Sequence, residues 1–107
     1  MEPTRAQVDS ALLQERTRRL SELKSQSLNV LSALPPERSE KTDVSGRTIE
    51  FTTYVDRAHD GRFLVRVRSD EPWFMGLFSR GSTEGFWVSE NGQIAEATDD
   101  DILDFSG

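Results

Sequence analysis

The stretch Gly76, Leu77, Phe78, Ser79, Arg80, Gly81, Ser82, Thr83 has the glycine spacing of a phosphate-binding loop. Such a loop needs a lysine after its second glycine to carry charge to the β and γ phosphates, and a helix must open behind it. Ser82 stands in the lysine's place and the following residues read as a strand, so nucleotide binding is not expected. Gly81 to Gly85 has the outline of a nucleophile elbow, but its centre is Thr83 and no α/β-hydrolase pattern surrounds it. His59, the one imidazole, falls in a polar turn, and the chain has no Cys. Triad hydrolysis, thiol chemistry, disulfides and cysteine zinc sites therefore lack their residues.

Metal chemistry fares no better. Asp56, Asp60 and Gly61 match three places of a calcium loop, yet Ala58 takes a ligand position and Val67 stands where a bidentate Glu belongs. Asp99, Asp100 and Asp101 are consecutive rather than alternating, which suits the positive end of a helix. The sequence therefore predicts no metal and no cofactor. Arg62, Arg66 and Arg68 beside Tyr54 suggest an anion-binding strand face, but Glu50 and Asp56 fall opposite two of them in the expected hairpin, leaving a solvated ion-paired face.

Pro72 to Phe78 gathers three aromatic residues and a methionine between polar flanks. It reads first as an irregular third strand filling the core, and second as an adaptable recognition surface, since Trp, Phe and Met concentrate at interface centres. Trp73, Phe74, Met75 and Phe78, with Asp99, Asp100 and Asp101, are the candidate interaction residues.

These residues must be positioned by few elements. With 107 residues, 35% apolar and 30% charged, the chain fits one domain over 1–107 with a modest core. Its 13 basic and 19 acidic side chains leave a net charge of -6, which argues against a polyanionic partner such as nucleic acid. The acid is uneven: residues 1–41 hold 7 bases and 6 acids, whereas the remainder holds 6 bases and 13 acids. The first residues lack the basic and apolar regions of a secretory signal, and Trp73 to Phe78 is far too short for a membrane helix. A cytoplasmic protein with no membrane contact is the expectation.

Thr4 with Gln7 three residues on is a capping-box signature, and no Gly or Pro intervenes before Pro35 and Pro36. The spacing predicts a helix over 4–34. Leu13, Leu20, Ser27 and Leu34 share one heptad register and Leu23 and Val30 the other, with interruptions at Arg16 and Ser27. About 30 helical residues would span about 45 Å, against a diameter of about 35 Å for a domain of this size. Such a helix must bend near Ser25 to Ser27 or overhang and pack on a second copy, which predicts a homodimer through the N-terminal helix.

Residues 35–46 are polar and read as a linker. Beyond them the period falls to two, and alternating runs around Arg57 to Gly61 predict a hairpin with Asp56 facing Arg62, Val55 facing Phe63 and Phe51 facing Val67. Asn91 and Gly92 predict a second, two-residue turn placing Val88 opposite Ala95 and Phe86 opposite Ala97. Thr98 then caps a short helix over 98–105. The expected fold is α+β: a long N-terminal helix on a four-stranded antiparallel sheet over 47–97, ending in a short helix. The expected function is a non-enzymatic protein-interaction module of the immunity, antitoxin or adaptor type, self-associating and suited to a basic protein partner. The alternative is a small-ligand-binding domain or enzyme with a pocket between helix and sheet.

Overall fold

The computed structural model describes residues 4–58, 60–73, 78–100 and 102. Helix α1 (Arg5–Lys24) begins as its first residues dictate: Thr4 Oγ1 accepts from the Gln7 N–H at 3.2 Å, and Gln7 Oε1 accepts from the Thr4 N–H at 2.9 Å. The predicted helix over 4–34 does not run through. Ser25 closes α1, with its hydroxyl donating to the Glu22 carbonyl at 2.6 Å. Ser27 turns extended (φ -70, ψ 158) and caps a second helix, α2 (Leu28–Ser32), by accepting from the Val30 N–H at 3.3 Å. Serine competes for backbone hydrogen bonds in just this way, so two near neighbours end one helix and start another. Twenty residues of α1 span about 30 Å, and the overhang that argued for helix-mediated dimerisation disappears.

The sheet has five strands rather than four, in the order β1 (Glu37–Val44), β2 (Arg47–Arg57), β3 (Phe63–Trp73), β4 (Phe78–Val88) and β5 (Ile94–Glu96), all antiparallel. The additional strand comes from the predicted linker. Ser45 and Gly46 adopt positive φ of 51° and 78° and form the two-residue turn that joins Val44 to Arg47. All of β1 except Thr42 and Val44 is exposed, so it shows no apolar alternation in the sequence.

Both predicted hairpins exist in altered register. Val55 faces Val65 and Phe51 faces Ser69, a two-residue slide that keeps every side chain on its expected face. The cause is a tighter turn: Ala58 N–H donates to the Arg62 carbonyl, Gly61 N–H donates to the Ala58 carbonyl, and Gly61 sits at φ 86°. Ser89, Gln93 and Gly92 (φ 86°) repeat the same arrangement, a three-residue loop closed by a left-handed glycine. Val88 therefore faces Ile94, and Trp87 faces Ala95.

The two helices cover one face of the sheet. Val8, Leu12, Leu20 and Leu31 pack on Ile49, Phe51, Val65, Val67, Phe86 and Val88. On the other face Leu64 and Trp87 are buried apart from that cluster, and Ile102 is buried outside it as well. With so little apolar material, cations finish the enclosure: Arg19 lies over Phe51 at 4.3 Å, Arg62 over Trp87 at 4.2 Å and Arg66 over Tyr54 at 4.7 Å.

The expected C-terminal helix over 98–105 is also corrected: among the described residues no helical element follows β5. Asp99, Asp100 and Ile102 have helical backbone, and the Ile102 N–H donates to the Thr98 carbonyl at 3.1 Å. Asp101 and 103–107 lie outside the described residues.

Candidate functional site

Arg16 interrupts the apolar stripe of α1 because it is part of a polar joint with the sheet. It is only 8% exposed; Nη1 donates to Ser69 Oγ at 2.9 Å, and Nη2 lies 3.4 Å from Glu84 Oε1. Its Nε is buried with no acceptor among the described residues. About three turns nearer the start of α1 on the same face, Arg5 reaches Glu71, whose side chain is 3% exposed, with Nη1 2.9 Å from Oε2. Hydrogen bonds to Glu71 and then Asp9 hold the Arg5 guanidinium charged well beyond its ordinary range. Arg47 stands 3.9 Å from the same Glu71 carboxylate.

Between these groups lies a cleft of about 260 Å³, walled by Arg5, Asp9, Leu12 and Arg16 on α1 and by Ser69, Glu71, Gly81 and Ser82 on β3 and β4. A second opening of about 220 Å³ separates the end of α1 from β1 and β2, with Arg19, Arg38 and Phe51 in its wall. Arg19 donates to Thr42 Oγ1 and Glu15 at 2.9 Å each and pairs with Glu40. The Arg18 hydrogen bond lowers the Glu15 carboxyl below its ordinary range, against the opposing effect of burial. Lys24 pairs with Glu96 on β5. Four basic residues of α1 thus fasten the helix from β1 across to β5. Each cation in the first cleft faces an acid, so the arrangement is charge-balanced rather than poised for proton transfer.

The arginine face read from the sequence is ion-paired, but by other partners: Arg66 with Asp56 at 2.7 Å, Arg62 with Asp60 at 2.7 Å and Arg68 with Asp70 at 2.9 Å. The Arg62 N–H, followed by its guanidinium, holds the Asp60 carboxyl below its ordinary range. Arg66 crosses bare backbone at Gly85, where a Cβ would stand 3.1 Å from its Cγ, and the Arg68–Asp70 pair covers Gly81. The residues resembling a phosphate loop and an elbow are extended along β4 from Phe78 onward, which removes both readings. No group of three or more His, Cys, Asp or Glu is placed to hold a metal among the described residues.

The predicted interaction residues separate. Trp73 and Phe78 pair at the far end of the β3–β4 hairpin, while Phe74 and Met75 lie outside the described residues. Asp99 and Asp100 are exposed just past Ala97, which bonds to Gly85. Seven residue steps along β4, about 23 Å, separate Phe78 from Gly85 and that bond.

Two surface features escaped the sequence reading. Leu13 is 49% exposed, because the buried stripe runs through Val8, Leu12, Arg16 and Leu20, with spacing of four, rather than along the heptad. Lys24 shares its helix face with Leu13 and Thr17, so the Lys24–Glu96 pair turns that face toward the β5 side. There β5 covers only Phe86 to Val88 of β4. The Gly85 carbonyl points to that edge, accepting from Ala97. Alternation along a strand then directs the amides of Gly81 and Thr83 outward, where no strand meets them among the described residues. The shortness of β5 was the available signal. Comparison with known protein families, curated proteins and solved structures gives no match.

No helix of the described residues is long and apolar enough to cross a membrane.

Proposed function

We propose that this chain is a non-enzymatic protein-interaction module that receives an extended segment of a basic partner protein along the outer edge of β4. The observation that carries this reading is the stretch of β4 before Gly85, whose outer edge no strand pairs among the described residues. An open strand edge offers main-chain hydrogen bonds to an added strand, and side-chain contacts beside it supply selectivity. Leu13 provides the apolar contact. Asp99 and Asp100, exposed just after β5, and the acid excess beyond residue 41 favour a basic partner and speed its encounter.

Thr83→Pro tests it. The Thr83 amide points away from β3, so proline there leaves the native ladder whole while removing an outward donor. A partner captured from native lysate by the wild-type chain is expected to be lost from Thr83→Pro and weakened by Leu13→Glu, with both variants still folded by circular dichroism. Equal capture by all three chains would refute edge recognition.

A second reading rests on Arg16. Arg16 lines the 260 Å³ cleft together with Arg5, a place where a small carboxylate ligand would meet guanidinium groups. A rise in melting temperature with acetate or succinate that Arg16→Met abolishes would support it; no rise at millimolar concentration would remove it.

A further inference from the structure

We infer that β1 is a self-recognition edge, pairing antiparallel with β1 of a second copy of this chain about a two-fold axis at Ser39. The Pro36 carbonyl accepts from the Val55 N–H at 3.0 Å, so even-numbered residues of this segment turn their backbone groups to β2. Glu37, Ser39, Lys41 and Asp43 then direct theirs outward along an edge with no neighbouring strand among the described residues. Glu37, Arg38 and Lys41 are exposed and make no ion pair with another described residue.

Two-fold symmetry across an antiparallel pair requires that partners point their backbones the same way, which restricts the register to a few choices. Centring on Glu40 sets Glu40 against itself and Glu37 against Asp43, and centring on Lys41 sets Lys41 against itself. Centring on Ser39 sets Glu37 against Lys41 and Arg38 against Glu40, each twice by symmetry, with no like charges opposed. A Thr42 centre offers only Lys41 against Asp43 and runs into the Ser45–Gly46 turn. Charged residues on an edge strand ordinarily deter pairing. Here their order opposes like charges in the Arg38, Glu40 and Lys41 registers and the turn shortens the Thr42 one, which makes the edge selective rather than closed. The two sheets become continuous, and the β4 edge of each copy stays free because it lies at the opposite side of the sheet.

The test is the mass of the purified full chain by sedimentation equilibrium across concentration. The wild type is expected to form a dimer that weakens with added salt, since the pairs are exposed. Lys41→Glu opposes Glu37 twice and is expected to weaken the dimer about tenfold or more. Glu37→Lys combined with Lys41→Glu exchanges the two charges and is expected to restore it. A wild-type monomer at high micromolar concentration would overturn the inference. So would a dimer unaffected by Lys41→Glu, or one that the exchange fails to restore. Because these substitutions leave β4 untouched, the outcome is independent of partner capture at the other edge.

Discussion

Single residues decide how this sheet is covered. Gly85 is needed because a Cβ there would stand 2.7 Å from the Val65 carbonyl oxygen, a backbone atom that cannot yield, and against the Arg66 stem. At Gly81 the first obstacle is the end of the Arg68 side chain, which can swing aside. Gly85→Ala is therefore expected to cost about 1–3 kcal/mol, and Gly81→Ala less, in urea unfolding. The reverse order would show that the arginine face is packed differently. Glu15 gives a pH signature. Its folded pKa is lowered by Arg18, so its contribution is present above the ordinary carboxylate range and is lost as pH falls through the depressed folded value. Glu15→Gln should destabilise by about 0.5–1 kcal/mol at pH 7, the pair being partly solvated, and the gap between variant and wild type should narrow as pH falls below the ordinary carboxylate range. A gap unchanged at low pH would contradict the depressed pKa.

Elements were legible where pattern and local chemistry agreed, and not where they conflicted. The start of α1 was readable because Thr4 and Gln7 satisfy the first helical amides whatever packs behind them. Its end was not, because no Gly or Pro marks it, and helix propensity alone favours continuation across Ser25 to Ser27. Strand β1 was invisible because Glu37 to Asp43 has no buried face, and only Ser45–Gly46 announced a turn. The faces of the β2–β3 hairpin were predicted correctly while its register slid by two residues, since alternation fixes parity and turn geometry fixes position. Of the candidate site, the aromatic hairpin end and the exposed acids were named, but their separation is a tertiary fact. The break between helices carries its own prediction. If Ser27 caps α2, Ser27→Ala loses a hydrogen bond and costs about 1 kcal/mol. If one helix continued through this point, the same change would raise stability, alanine being the better helix former. The sign of the shift in a thermal melt decides between them.

At the scale of the molecule, a small apolar core is supplemented by a basic helix tied across an acidic sheet. Arg5, Arg16, Arg19 and Lys24 meet Glu71, Glu84, Glu40 and Glu96 on four strands, so the charge asymmetry of the sequence becomes the joint between its two layers. That use of charge explains how a chain with 35% apolar residues covers five strands. Among the described residues it leaves the meander with two unpaired edges, the charged β1 and the part of β4 before Gly85. The claim that the second edge receives a partner is tested most directly by backbone amide hydrogen exchange, residue by residue. In the free chain, Gly81 and Thr83 should exchange quickly while Ser82 and Glu84, turned toward β3, exchange slowly. Saturation with the captured partner should slow Gly81 and Thr83 to the rate of their neighbours. Protection of both amides already in the free chain, or rates at both that saturation leaves unchanged, would contradict it.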